Sequence, residues 1–398
     1  MSENLFEKSL KQYSEIQKDW AENAARIAEQ FDPKKYMEQM SDMQEKVLAG
    51  MKTLLELKPE DVEMDQLDKE VVLTIGKMKL YHYKPTVPAR RQVKVPLLVT
   101  YALVNRQYMM DLQPDRSVFK SFLDAGIDLY VIDWGYPTAE DMYLTMDDYI
   151  GWYMDDAVDC VRKISGKEKI NLLGICQGGT FSAIYTATHQ DKIKNLVTLV
   201  VPIDFSGNDG LLFSWSRYMN IDSLIEAYNG VVPGDVMNVA YLILKPLTLT
   251  IDKYVKMVDR MADKDYLTNF IRMEKWNFDS PAQAGATLSQ FIHDMYQDNK
   301  LIKGEFELCG EKVDLKNIKN PVLCACSDLD HLVPLSHSEP FMDAIGSTDK
   351  TFQHYKTGHI GMFTSSKSRK DIIPNIIDRK STRLNSSHRH TSRMPSSA

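Results

Sequence analysis

The segment Asn171-Leu172-Leu173-Gly174-Ile175-Cys176-Gln177-Gly178-Gly179 places one cysteine at the end of an apolar run, with glycines two residues before and two after it. A strand that turns sharply into a helix needs that spacing, because the elbow leaves no room for side chains on either flank. The cysteine would stand at a helix N-terminus. There the dipole and the free backbone N–H groups favour a thiolate nucleophile, and the same N–H groups can hold an oxyanion. Gln177 supplies the first such amide. The second is expected from the loop after the third strand, Tyr101-Ala102-Leu103-Val104-Asn105-Arg106, with Val104 as the donor.

A nucleophile of this kind needs a histidine as base and an acid to orient it, in the chain order nucleophile, acid, histidine. Asp330 follows a late strand within Ser327-Asp328-Leu329-Asp330-His331-Leu332-Val333-Pro334, and spacing alone leaves Asp328 as its rival. His359 follows the last predicted strand in Lys356-Thr357-Gly358-His359-Ile360-Gly361, where flanking glycines let a loop aim the ring. Of the nine histidines it alone holds that position. His331 is the fallback, ahead of His354 and His337.

Short β-rich runs position these residues: 70–75, 79–83, 95–101, 128–133, 170–173, 196–201, 321–326 and 351–355. Helical stretches at 117–125, 147–163 and 178–189 alternate with them. The alternation predicts an α/β fold of the α/β-hydrolase kind, a mostly parallel sheet covered on both faces, with core segments 66–204 and 301–378. Residues 205–300 interrupt it with helical, Met- and aromatic-rich sequence and read as an inserted helical cap.

Ahead of the core, residues 1–65 read as a helical arm. Phe6, Leu10, Tyr13, Ile16, Trp20, Ala24, Ile27 and Phe31 form one stripe, and Tyr36, Met40, Met43, Val47, Met51 and Leu54 a second. Packing on its own domain and docking to a partner are both consistent with that pattern. The last segment, 381–398, holds six Ser, three Arg and two His with no acid. It has the texture of a translated cloning sequence, is expected to be disordered, and is set aside from the fold.

The bulk composition limits the possible functions. The 398 residues are 43% hydrophobic and 26% charged with net charge −7, which gives no general attraction to nucleic acid. No leader-like N-terminus and no run of about 18 uncharged apolar residues occurs, so a cytoplasmic protein without a spanning segment is expected. Five irregularly spaced cysteines suit neither a disulfide framework nor a zinc site, and most are expected to be buried small hydrophobes. Cys324 and Cys326 share one face of a strand, for packing rather than ligation. No metal cluster or dinucleotide-binding glycine motif is evident, and no cofactor is expected.

These stretches, with Ile132-Asp133-Trp134-Gly135-Tyr136-Pro137, Met273-Glu274-Lys275-Trp276 and Phe278-Asp279-Ser280-Pro281, resemble the catalytic subunit of class III polyhydroxyalkanoate (poly(3-hydroxybutyrate)) synthases over roughly residues 70–375. The resemblance implies Cys176 as the acyl-carrying nucleophile, and Asp330 rather than Asp328 with His359 as its acid and base. It implies (R)-3-hydroxyacyl-coenzyme A as substrate, a growing polyester chain and free coenzyme A as products. It further implies a second, non-catalytic subunit, a homodimer, and a place at the surface of cytoplasmic polyester granules.

The residues alone leave other readings open. A cysteine-dependent thioesterase or esterase would use the same elbow and triad, and the helical arm suits a non-enzymatic granule scaffold. Arg106 or Lys275 is a candidate contact for coenzyme A phosphates. Trp276 and Tyr218 are candidates for water exclusion by the cap, for aromatic core, or for a dimer contact.

Overall fold

A computed structural model describes residues 32–377 together with 14, 15, 17–19, 21 and 22. Every residue of the first amphipathic stripe, and the whole segment 381–398, falls outside these residues. The chain forms two compact units, one of residues 1–61 and 250–270, the other of 62–249 and 271–398.

In the smaller unit Asp32 caps the helix α1, Pro33–Glu56, its carboxylate accepting from the amides of Lys34 and Lys35, with Pro33 in the first turn. Gly50 is the buried residue of this helix, and a Cβ there would lie 1.9 Å from the Met261 side chain. Lys46 bridges Asp259 at 3.3 Å, and Thr53 donates to the Ala262 carbonyl. Most of the large apolar side chains of α1 stay exposed, among them Met37, Leu48 and Leu55 at 67, 60 and 83%.

The larger unit is built on an eight-stranded sheet. Its strands are β1 (Lys69–Ile75), β2 (Met78–Tyr83), β3 (Leu97–Thr100), β4 (Leu129–Asp133), β5 (Ile170–Ile175), β6 (Ile193–Leu199), β7 (Val322–Ser327) and β8 (Lys350–Tyr355). Their spatial order is β1-β2-β4-β3-β5-β6-β7-β8. The β1–β2 and β2–β4 pairings are antiparallel and the rest parallel. Strands β3, β4, β5 and β7 are buried at every position, as continuous apolar runs covered on both faces must be. The sheet and its cover match the α/β expectation.

Between the strands lie α2 (Val118–Asp124), α3 (Asp155–Ser165, entered through a wide π-helical turn at Asp147–Met154) and α4 (Gln177–Thr188). Strand β6 starts and stops earlier than the 196–201 run suggests. Val200 takes φ +47 and turns the chain out of the β5–β6 ladder, though its amide still reaches the Ala325 carbonyl. Residues 205–300 are helical: α5 (Leu211–Tyr218), α6 (Ile221–Ala227), α7 (Gly234–Leu244), α8 (Lys253–Arg260), α9 (Lys264–Phe278) and α10 (Gly285–Phe291). Of these, 250–270 group with the smaller unit.

Candidate active site

Strand β5 ends at Ile175 and α4 begins at Gln177, so Cys176 is the whole of the turn. It takes φ 53, ψ −123, a strained conformation for a side-chain-bearing residue. The surroundings hold it there. The Cys176 amide donates to the Leu199 carbonyl, and its own carbonyl accepts from Gly179 and Thr180. A Cβ on Gly174 would lie 2.5 Å from the Gly178 carbonyl oxygen, and one on Gly178 would lie 2.4 Å from the Thr100 carbonyl oxygen. The two glycines thus let α4 pass across the strand ends closely enough to keep the elbow tight.

The loops after β7 and β8 bring the acid and the base together. His359 is 6% exposed, and its Nδ1 lies 2.7 Å from Asp330 Oδ2. Asp330 Oδ1 accepts from the Leu332 and Val333 amides, each at 2.9 Å, so the carboxylate is fixed from two sides. Cys176 lies close enough to the ring for its charge to bear on it. Burial pulls the His359 pKa down, but the charge and hydrogen bond of Asp330, joined by the charge of Cys176, outweigh it and push the value up to about 10.

The rival residues are engaged elsewhere. Asp328 holds His354 Nδ1 at 2.6 Å. His337 is fully buried with both ring nitrogens on backbone carbonyls, those of Asp204 and Asp209, and stacks on Phe213 at 3.5 Å. His331 is half-buried and hydrogen-bonds neither Asp330 nor Cys176; burial, then the Lys245 charge, lowers its pKa.

Both expected oxyanion donors sit at the elbow's edge. Gln177 opens α4, and its side-chain oxygen accepts from the Leu103 amide at 3.0 Å, tying the post-β3 loop to the helix start. Val104 follows in that loop and packs on the same apolar cluster as Cys176. Neither the Gln177 nor the Val104 amide donates to another group among the described residues. Two free amides near a half-buried cysteine that neighbours a histidine–carboxylate pair can perform nucleophilic acyl transfer.

Other candidates take different roles. Arg106 is not open to a phosphate. It is 9% exposed, bridged to Asp133 at 2.8 Å and laid over the Tyr136 ring at 4.3 Å. A buried carboxylate has claimed it, and only exposed Lys275 of the two cations faces solvent. Trp276 is core, 5% exposed, its indole donating to the Arg106 carbonyl, whereas Tyr218 is 84% exposed. Among the cysteines, Cys324 and Cys326 are buried with sulfurs 3.7 Å apart, Cys160 is intermediate and Cys309 exposed. No group of three or more His, Cys, Asp or Glu that could hold a metal occurs among the described residues.

Several contributors carried no periodic signal. Tyr101, Tyr296 and the half-buried Tyr241 have phenols pushed up by burial first, and the Cys176 charge adds to each. Three aromatic side chains therefore lie within electrostatic reach of the sulfur, two of them from the 205–300 segment. Asp279 accepts from the Tyr108 and Tyr136 hydroxyls, and Gln283 donates to the Leu103 carbonyl, so this segment also braces the post-β3 loop.

The doubly covered parallel sheet with a strained strand-to-helix elbow defines an α/β hydrolase, and residues 108–366 match the family described as alpha/beta hydrolase fold. The chain is 46% identical over 344 residues to the poly(3-hydroxyalkanoate) polymerase subunit PhaC of Allochromatium vinosum, covering 86% of this chain and 96% of that one. It is 44% identical over 344 residues to the protein of that name from Thiocystis violacea, with coverages of 86 and 96%. The Synechocystis protein of the same name is 43% identical over 342 residues, with coverages of 84 and 90%. The chain belongs to this poly(3-hydroxyalkanoate) polymerase subunit family.

Proposed function

We infer that the protein polymerises (R)-3-hydroxyacyl-coenzyme A into polyhydroxyalkanoate, with Cys176 carrying the acyl group as a thioester. The observation that carries the mechanism is the buried His359–Asp330 pair, held at 2.7 Å, with half-buried Cys176 near enough for its charge to raise the ring's pKa. His359 accepts the thiol proton, and the sulfur attacks the thioester carbonyl. The carbonyl oxygen's developing charge is met by the Gln177 and Val104 amides. The bond from carbon to the coenzyme A sulfur then breaks, and coenzyme A leaves with the proton from His359.

Acylation consumes the charge on Cys176, one of the contributions that raise the His359 pKa, so once the thioester exists the ring gives up its proton more readily and more of it is neutral and able to accept one. It then takes the proton of an incoming 3-hydroxyl, whose oxygen attacks the thioester carbon and displaces the Cys176 sulfur, lengthening the ester chain by one unit. Exchange of one thioester for another is near thermoneutral, and the acyl carbon stays reactive to the hydroxyl. A serine ester would be a poorer donor. The buried phenols of Tyr101 and Tyr296, which feel the Cys176 charge, support the exclusion of water, which would end chains early.

No helix among the described residues is long and apolar enough to cross a membrane. We place the protein at the surface of cytoplasmic polyester granules, as a homodimer working with a second, non-catalytic subunit; the exposed apolar face of α1 supports an associating surface. The test is product identity. Incubated with 3-hydroxybutyryl-coenzyme A, the protein should release coenzyme A together with insoluble polyester, and Cys176→Ala should abolish both. Soluble 3-hydroxybutyrate as the sole product would make it a thioesterase, and full coenzyme A release by the alanine variant would remove the nucleophile.

A further inference from the structure

Asn238 is 5% exposed, and its amide nitrogen meets no acceptor among the described residues. A buried side-chain donor with no partner is uncommon and calls for a reason. Its oxygen is anchored: Oδ1 accepts from Ser280 Oγ at 2.7 Å, and that hydroxyl accepts from Asn105 Nδ2 at 2.8 Å. Asn238 is thus tied to the loop that carries Val104. Tyr241, three residues further along α7, lies on the same helix face and feels the Cys176 charge. Asn238 therefore stands beside the post-β3 loop, about one helical turn before Tyr241.

Rotating the amide by half a turn changes nothing essential. Ser280 Oγ then pairs with the nitrogen, can donate to the Asn277 carbonyl at 3.3 Å, and leaves Oδ1 empty instead. In either setting one end of the buried amide is left unpaired. A secondary hydroxyl both donates and accepts, so it completes either arrangement. A methylene completes neither. The nitrogen-outward setting serves the ester oxygen that the hydroxyl becomes in the growing chain as well.

We propose that the Asn238 amide hydrogen-bonds the oxygen on C3 of the acyl group held by Cys176, selecting 3-hydroxyacyl over unsubstituted acyl thioesters. This rests on the acyl-transfer reading above. Rejection arises because an acyl chain without the oxygen leaves the buried amide unsatisfied once the site is filled and dry.

The experiment is single-turnover coenzyme A release by the full chain from 3-hydroxybutyryl-coenzyme A and from butyryl-coenzyme A. Wild type is expected to favour the hydroxy substrate. Asn238→Ala, and the near-isosteric Asn238→Leu in case the smaller residue unsettles α7, should each lower the ratio of the two kcat/KM values by about 10- to 100-fold. Ser280→Ala cuts the tether but keeps the amide, so it should slow both substrates while retaining the preference. If folded Asn238 variants lose rate on both thioesters in equal proportion, or on neither, Asn238 does not read C3 and the proposal is overturned while acyl transfer stands. Wild type that releases no coenzyme A from either thioester overturns the acyl-transfer reading itself, and this proposal with it.

Discussion

His359 is the residue on which the chemistry turns, and its environment makes it testable by pH. Its pKa in the fold is about 10 against roughly 6.5 for a free imidazole, so between those values the folded chain binds the proton more tightly than the unfolded one. The stabilisation is complete below about pH 6.5 and is lost as pH rises through about 10. Thermal melts across that window should show a fall that flattens in Asp330→Asn, where the amide keeps the shape but removes the charge. The same variant should lower polymer formation by about 10²-fold or more, measured as insoluble ester, because the ring loses the partner that fixes its tautomer. Equal melting slopes in the two proteins would mean that Asp330 does not set the ring's charge.

At the scale of elements, the reacting groups come from the carboxyl ends of parallel strands, which is where open α/β sheets gather their loops. β3 leads to Val104, β5 to Cys176, β7 to Asp330 and β8 to His359. The in-register β7–β8 pairing, Cys326 beside His354 and Ser327 beside Tyr355, starts the last two loops level with one another. The elbow depends on close passage of α4. Gly178→Ala would push a Cβ to 2.4 Å from the Thr100 carbonyl oxygen, a backbone atom that cannot swing aside. The expected cost is about 1–3 kcal/mol, read as a lower denaturant midpoint, together with slower coenzyme A release as the Gln177 amide moves. A midpoint within error of wild type would show that the strand end yields.

For the whole molecule, the two units divide the work. The Cys176, His359 and Asp330 cluster, the post-β3 loop and Asn238 all belong to the unit of residues 62–249 and 271–398. α1 belongs to the other and keeps Met37, Leu48 and Leu55 exposed. Removing residues 1–61 is therefore expected to leave single-turnover acylation of Cys176 within about twofold, while association with granules or a second subunit weakens, as co-sedimentation would record. Unchanged association would assign the exposed face of α1 to packing alone.

Local signals made much of the molecule legible. A strand buried on both faces must be apolar throughout, so β3, β4, β5 and β7 stand out as continuous runs, and an elbow must have glycine where backbones touch, so Cys176 stands out between Gly174 and Gly178. The order of Cys176, Asp330 and His359 along the chain follows from the strand order. What the pattern could not decide was pairing across long separations. Asp328 and Asp330 are both acids at the end of one strand, and only the loop conformation gives His354 to the first and His359 to the second. Arg106 reads as a free cation until the fold delivers Asp133 and Tyr136 to it. Asn238 carries no motif at all. Its meaning comes from Ser280 and Asn105, residues distant in the chain that meet it only in the folded unit. Periodicity reports which face of an element is buried; the identity of the partner is a property of the packed whole.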